Sequence, residues 1–250
     1  MSDDKVLLNE SIEKGEFSTV KRIISANPTL IRSPKLPDEN PSFRPMTVAS
    51  VNCQVEILAF LIDQGGEVME HSNFPLCRTA TRGGCVPTME LLVNHGADVD
   101  QVCQDYGPPI IYAVEGSSLD SIAFLLDNGA KIAGVGAGSE EPVSWDALKH
   151  AGHFNRKTPD LIPLLLKHGA EINNDIVDQK GGKDHNTALH NVAQKGDIEG
   201  IKLLLKHGAD LNATNNKGQK PVEMSRNLKV RELLELGATP NAESNEKNDL

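Results

Sequence analysis

Cysteine is scarce in this 250-residue chain, and the four residues present, Cys53, Cys77, Cys85 and Cys103, lack the paired CxxC spacing of a zinc site. They are also too few for a secreted disulfide framework, so they are expected as reduced thiols, with Cys85 the most exposed. No run of eighteen apolar residues occurs, which excludes a membrane-spanning helix. The opening MSDDKVLLNE is acidic where a secretory leader is basic and then apolar. These absences together predict an intracellular protein, in the cytoplasm with the nucleus left open. Positive charge is deficient as well: 25 Lys and Arg stand against 35 Asp and Glu, a net charge of -10. That balance argues against nucleic acid as a partner, because phosphate binding needs a basic surface. There is no GxSxG elbow, P-loop or dinucleotide-binding glycine motif. GVGAGSEE from Gly134 follows a helix end and lacks the phosphate-loop lysine, so it reads as a flexible finger.

What the chain does have is a repeat. The segment from Asn186, NTALHNVAQKGDIEGIKLLLKHGADLNA, contains a short apolar helix, a glycine break, an amphipathic helix with a Leu-Leu-Leu run and a glycine-ended turn. Its ending recurs as LLVNHGADVD, AFLLDNGAKI, PLLLKHGAEI and ELLELGATPN, and more weakly as FLIDQGGEVM. The turn glycines are Gly65, Gly96, Gly129, Gly169, Gly208 and Gly237, where a left-handed residue lets the chain reverse without a Cβ penalty. Asn27 is expected to fill that place in a degenerate first repeat, which has Gly15 between its helices. The leucine runs Leu164 to Leu166 and Leu203 to Leu205 are expected in the core, and His95, His168 and His207 as cap residues.

This unit closely resembles the ankyrin repeat. The resemblance implies an all-α solenoid of about seven helix-turn-helix repeats joined by hairpin-like fingers, over residues 1–240. Approximate repeat limits are 5–36, 43–70, 73–102, 106–135, 140–174, 184–215 and 218–240, followed by a disordered acidic tail at 241–250. Glycine spacings of 31, 33, 40, 39 and 29 residues depart from the family's period of about 33. Relative to the family, extra residues fall in SPKLPDENP, HAGHFNR and NNDIVDQKGGK, which mark either a binding face or neutral drift. Only Thr187 to His190 (TALH) approaches the family's helix-opening TPLH motif; other repeats open with RPMT, FPLC, PPII, EPVS and KPVE.

By the same resemblance, the finger tips and the exposed side of each first helix form a concave binding surface. Mapped onto this chain, that surface holds Phe43, Arg78, Arg82, Tyr106, Tyr112, Glu115, Trp145 and Lys149. Further positions are Val48, Val51, Asn52, Asn73, Thr81, Gly116, Glu140, Leu148, Asn186, Asn191, Gln194 and Lys195. Aromatic residues make up only 4% of the chain, yet the sole tryptophan and both tyrosines fall in this set. Trp, Tyr and Arg dominate binding energy at interfaces, although Trp145 and Tyr112 can equally fill space between repeats.

Asp146, His150 and His153 follow i, i+4, i+7 spacing and would share a face if one helix ran through Gly152. A carboxylate with two imidazoles can bind a metal or move protons; a solvated polar face on an insertion fits the same residues. Two functions are therefore expected as alternatives. The first is a non-catalytic module for a protein or peptide of basic or mixed charge, with no cofactor, metal or membrane partner. The second is a small-molecule site, or an acid/base cyclase or isomerase, in repeats three to five, with Glu115, Asp146, His150 and His153 as proton-transfer candidates.

Overall fold

The structure, a computed structural model, describes residues 2–31, 44–69, 75–81, 83–103, 106–136, 143–155, 157–174 and 185–237. Phe43, Asn73, Arg82, Glu140 and the tail at 241–250 lie outside these residues. Among the described residues, seven helix pairs follow in order. They are α1 (Ser2–Glu13) with α2 (Phe17–Ala26), α3 (Pro45–Val51) with α4 (Val55–Asp63), and α5 (Pro75–Thr81) with α6 (Val86–Asn94). Next come α7 (Pro109–Glu115) with α8 (Leu119–Asp127), and α9 (Ala147–Ala151) with α10 (Leu161–Lys167). The last two pairs are α11 (Ala188–Lys195) with α12 (Ile198–Lys206), and α13 (Pro221–Met224) with α14 (Leu228–Glu235). Two compact units divide the chain, Met1–Ser144 and Trp145–Leu250.

In the first unit α1, α3, α5 and α7 pack in one row and α2, α4, α6 and α8 in another. In the second unit α9, α11 and α13 form a row. The second helices α4, α6 and α8 bury the same three places: Ile57, Leu58 and Leu61; Thr88, Met89 and Leu92; Ser121, Ile122 and Leu125. Leu161, Ile162 and Leu165, then Gly200, Ile201 and Leu204, repeat this in the second unit. At about 100° per residue a helix cannot bury three consecutive side chains equally. Hence only the middle leucine of each triplet, Leu165 or Leu204, is fully buried, and its neighbours are half-buried.

Four first helices open on proline (Pro45, Pro75, Pro109 and Pro221), whose fixed φ suits the first turn and whose missing N–H removes no helical bond. Every turn glycine named from the sequence has positive φ, from 58° at Gly237 to 94° at Gly96. Asn27 does not follow them. Its φ is -144°, and the chain continues instead into a short 3-10 turn at Pro28–Leu30. His95 and His207 end α6 and α12, their Nδ1–H donating to Leu91 O and Leu203 O at 2.8 and 2.9 Å.

The fifth repeat departs most from its neighbours. EPVS opens no helix; Val143–Asp146 is strand β2, paired with β1 (Ala133–Gly136), so the stretch after the fourth turn is partly sheet. β-branched Val143 and aromatic Trp145 favour extended chain, and Asp146 then caps α9 by accepting the Lys149 amide at 3.0 Å.

The cysteines are the clearest correction. They are not free thiols but two disulfides, Cys53–Cys85 and Cys77–Cys103, with Cα separations of 5.4 and 6.7 Å. Cys53, not Cys85, is the exposed member of its pair. Sequence spacing of 32 and 26 residues hides this pairing, because each partner lies about one repeat away and stacking brings the two together.

Candidate functional site

Four of the expected residues meet in the first unit. Tyr112 and Glu115 lie one turn apart on α7, whose close approach to α5 depends on Gly116: a Cβ there would sit 2.1 Å from the Thr81 carbonyl oxygen. Tyr106 stands in the finger before α7, where the Cys103 amide bonds to Gly107 O at 2.9 Å and the Tyr106 amide to Cys103 O at 3.0 Å. Its hydroxyl donates to the Glu115 carboxylate, and its ring meets that of Tyr112 edge-on at 5.3 Å. The Tyr112 hydroxyl donates to Cys103 O at 3.0 Å, which ties the finger to α7 a second time. The Cys77–Cys103 disulfide ties it to α5, where Arg78 is the next residue.

Burial and charge divide the roles. Tyr112 is only 7% exposed, and burial raises its pKa above the ordinary phenol value against the opposing field of the Arg78 guanidinium, so the ring is neutral at physiological pH. Arg78, Tyr106 and Glu115 are half-buried and reach the surface. The result is an amphipathic patch: a guanidinium, a carboxylate and a phenol edge on a finger braced from both flanking helices. Such a patch can accept and donate hydrogen bonds to a docked chain while its rings exclude water.

The second unit treats its expected residues differently. Trp145 is 2% exposed, and Leu148, Lys149 and His150 are buried as well, so little of these side chains is presented at the surface. Asn191 is likewise buried, its amide donating to Lys149 O at 2.8 Å. The helical face proposed for Asp146, His150 and His153 is interrupted, since α9 ends at Ala151 and Gly152 is pressed onto α11, where a Cβ would lie 2.8 Å from Asn191 Cβ. His153 therefore leaves the helix, although its ring stays 6.4 Å from that of His150. Among the described residues no group of three His, Cys, Asp or Glu is placed to hold a metal ion.

The TALH segment braces the opening of α11. Thr187 N and Oγ1 meet His190 Nδ1 at 3.1 and 2.8 Å, and His190 Nε2 lies 2.9 Å from Gln219 O. Because Nδ1 accepts the Thr187 amide, the proton sits on Nε2 and is donated to Gln219. Burial lowers the His190 pKa, the Gln219 bond opposing it, which keeps the ring neutral.

A cleft of about 510 Å³ opens in the same unit between Gln194, Lys195 and Gly196 and the segment Met224–Asn227. It exists because α13 stops after four residues and leaves Ser225–Asn227 extended. Gln194 and Lys195 are expected surface positions; Arg226 and Asn227 are not, and the shortened last repeat is the signal that points to them.

The family model for ankyrin repeats matches residues 45–135 and 139–244. The chain belongs to the ankyrin-repeat family. It is 26% identical over 196 residues to the putative ankyrin repeat protein R598 of Acanthamoeba polyphaga mimivirus, covering 73% of this chain and 55% of that one. It is 29% identical over 106 residues to the mouse (Mus musculus) B-cell lymphoma 3 protein homolog, covering 42% and 22%. The chain thus spans about half or less of these relatives' lengths. In structure it is similar to the human ASB11 ankyrin repeat domain, with a TM-score of 0.71, 21% identity, and coverage of 94% and 99%. The Bcl-3 ankyrin repeat domain matches with a TM-score of 0.64, also at 21% identity, over 91% and 97%. At these identities the likeness speaks to the fold. Ankyrin repeats are a protein-interaction architecture, and no helix among the described residues is long and apolar enough to cross a membrane.

Proposed function

We propose that this ankyrin-repeat chain binds a protein segment or peptide on the finger and first-helix surface of its third and fourth repeats, centred on Arg78, Tyr106, Tyr112 and Glu115. The observation that carries this reading is the pairing of Tyr106 with Glu115 on a finger cross-linked to α5, beside Arg78. A preorganised surface group loses less entropy when a partner docks. Within this surface Tyr112, largely buried, supports the Tyr106 ring edge-on.

The charges define the partner. Arg78 suits a carboxylate or a main-chain carbonyl, and Glu115 a lysine or arginine, so the bound segment is of mixed charge. The overall net charge of -10 steers a partner that is basic on the whole. No chemistry is assigned to Asp146, His150, His153 or Glu115: Asp146 caps α9, His153 lies off the helix, and Glu115 accepts the Tyr106 hydroxyl. The second-unit cleft favours a second reading, in which a small polar ligand or peptide end sits against Lys195, Arg226 and Asn227.

An interaction screen repeated with Arg78→Ala, Tyr106→Ala and, separately, Gln194→Ala with Arg226→Ala discriminates the two. The first reading expects partners to be lost with the first two variants and kept with the double variant. The opposite pattern supports the cleft.

A further inference from the structure

The two disulfides differ in access. Cys77 and Cys103 are 1% and 2% exposed, sealed between α5 and the finger. Cys53 is exposed, in the turn between α3 and α4, and Cys85 is half-buried. Cys53 also has a φ of 59°, in the place that glycine takes as Gly15, Gly84 and Gly196 in other repeats. A side chain there is tolerated at a cost in backbone energy.

We propose that Cys53–Cys85 is a thiol–disulfide exchange site for low-molecular-weight monothiols, with Cys53 Sγ the sulfur attacked. The thiolate RS⁻ forms a bond to Cys53 Sγ as the Cys53–Cys85 bond breaks, and the electron pair leaves on Cys85. The products are a mixed disulfide on Cys53 and a Cys85 thiolate, with no net oxidation. A second monothiol, attacking the outer sulfur, releases the Cys53 thiolate and RSSR, which completes a two-electron reduction.

Two features set this direction. Cys53 is the more exposed residue of the pair, and so the one an incoming thiolate meets first. The other sulfur belongs to the N-cap residue of the nine-residue α6, where the positive end of the helix dipole stabilises a thiolate and so makes Cys85 the better leaving group. Opening the bond does not cut the only tie between these repeats. The Thr88 hydroxyl stays bonded to Ser50 O at 3.0 Å in a buried contact, and α3 and α4 still pack on α5 and α6. The site is thereby one of reversible S-thiolation on a folded chain, while Cys77–Cys103 remains a closed cross-link beneath Tyr106 and Tyr112.

The test uses the native full chain with graded reduced glutathione, acid quench, alkylation and peptide mapping by mass spectrometry. The expected result is glutathione on Cys53 and alkylation of Cys85, at a rate about tenfold or more above any opening of Cys77–Cys103. Glutathione on Cys85, both disulfides opening together, or four thiols in the untreated chain would each overturn the proposal. A folded Cys85→Ser variant supplies the second arm. Its Cys53 thiol takes up glutathione from glutathione disulfide, and an unreactive Cys53 there also overturns it.

Discussion

Asn155 shows how an insertion becomes part of a core. Its Nδ2 donates to Asp197 Oδ2 at 2.7 Å, and its Oδ1 accepts the Ile162 amide at 3.2 Å, all within the second unit. The other Asp197 oxygen accepts the Gly200 amide and so caps α12. A buried carboxylate deprived of a donor is costly, so Asn155→Ala is expected to lower unfolding free energy by about 2 kcal/mol, read from the urea midpoint at constant m. His190 gives a pH test. Its folded pKa lies below the ordinary value of about 6.5, so between the two values the unfolded chain holds the extra proton and stability rises with pH. Its contribution is full above the unfolded pKa and is lost as pH falls through the interval down to the folded pKa. Urea midpoints measured from pH 7.5 down to 5 should fall in that window for the parent chain, and fall less for His190→Asn.

In five of the repeats the residue just before the N-cap of the second helix is left-handed: Gly15, Cys53, Gly84, Ser117 and Gly196 have φ between 54° and 71°. Two of these are not glycine. Cys53 is held by its disulfide, but no cross-link attaches Ser117. Ser117→Gly should therefore stabilise the chain by about 1 kcal/mol, measured as a raised midpoint in chemical unfolding, whereas an unchanged or lowered midpoint would refute the backbone argument. The helix-ending glycines were legible in the sequence for the same reason, since a conformation nearly forbidden to other residues leaves a regular mark. The burial triplets of the second helices were legible as periodicity. β2 was not: EPVS occupies the place of a first-helix opening, yet Val143 to Asp146 are extended and Trp145 is buried. The grouping of Tyr106, Tyr112, Glu115 and Arg78 was half legible, because repeat register placed them on one face. The hydrogen bond that joins Tyr106 to Glu115 depends on how the finger folds back, and the disulfide that holds the finger depends on which cysteines stacking brings together.

At the scale of the molecule, the family assignment supplies the architecture, and the first unit supplies a braced surface on it. The tryptophan and much of the insertion in the fifth repeat are buried, which moves the candidate interface toward the third and fourth repeats. The most direct test is the affinity of a partner recovered by the full chain, measured by calorimetry for the parent, Tyr106→Ala and Arg78→Ala, with thermal unfolding recorded on the same samples. The expected result is at least a tenfold loss of affinity for each variant, about 1.4 kcal/mol or more, at an unfolding midpoint close to that of the parent. Equal affinities for all three proteins would contradict it.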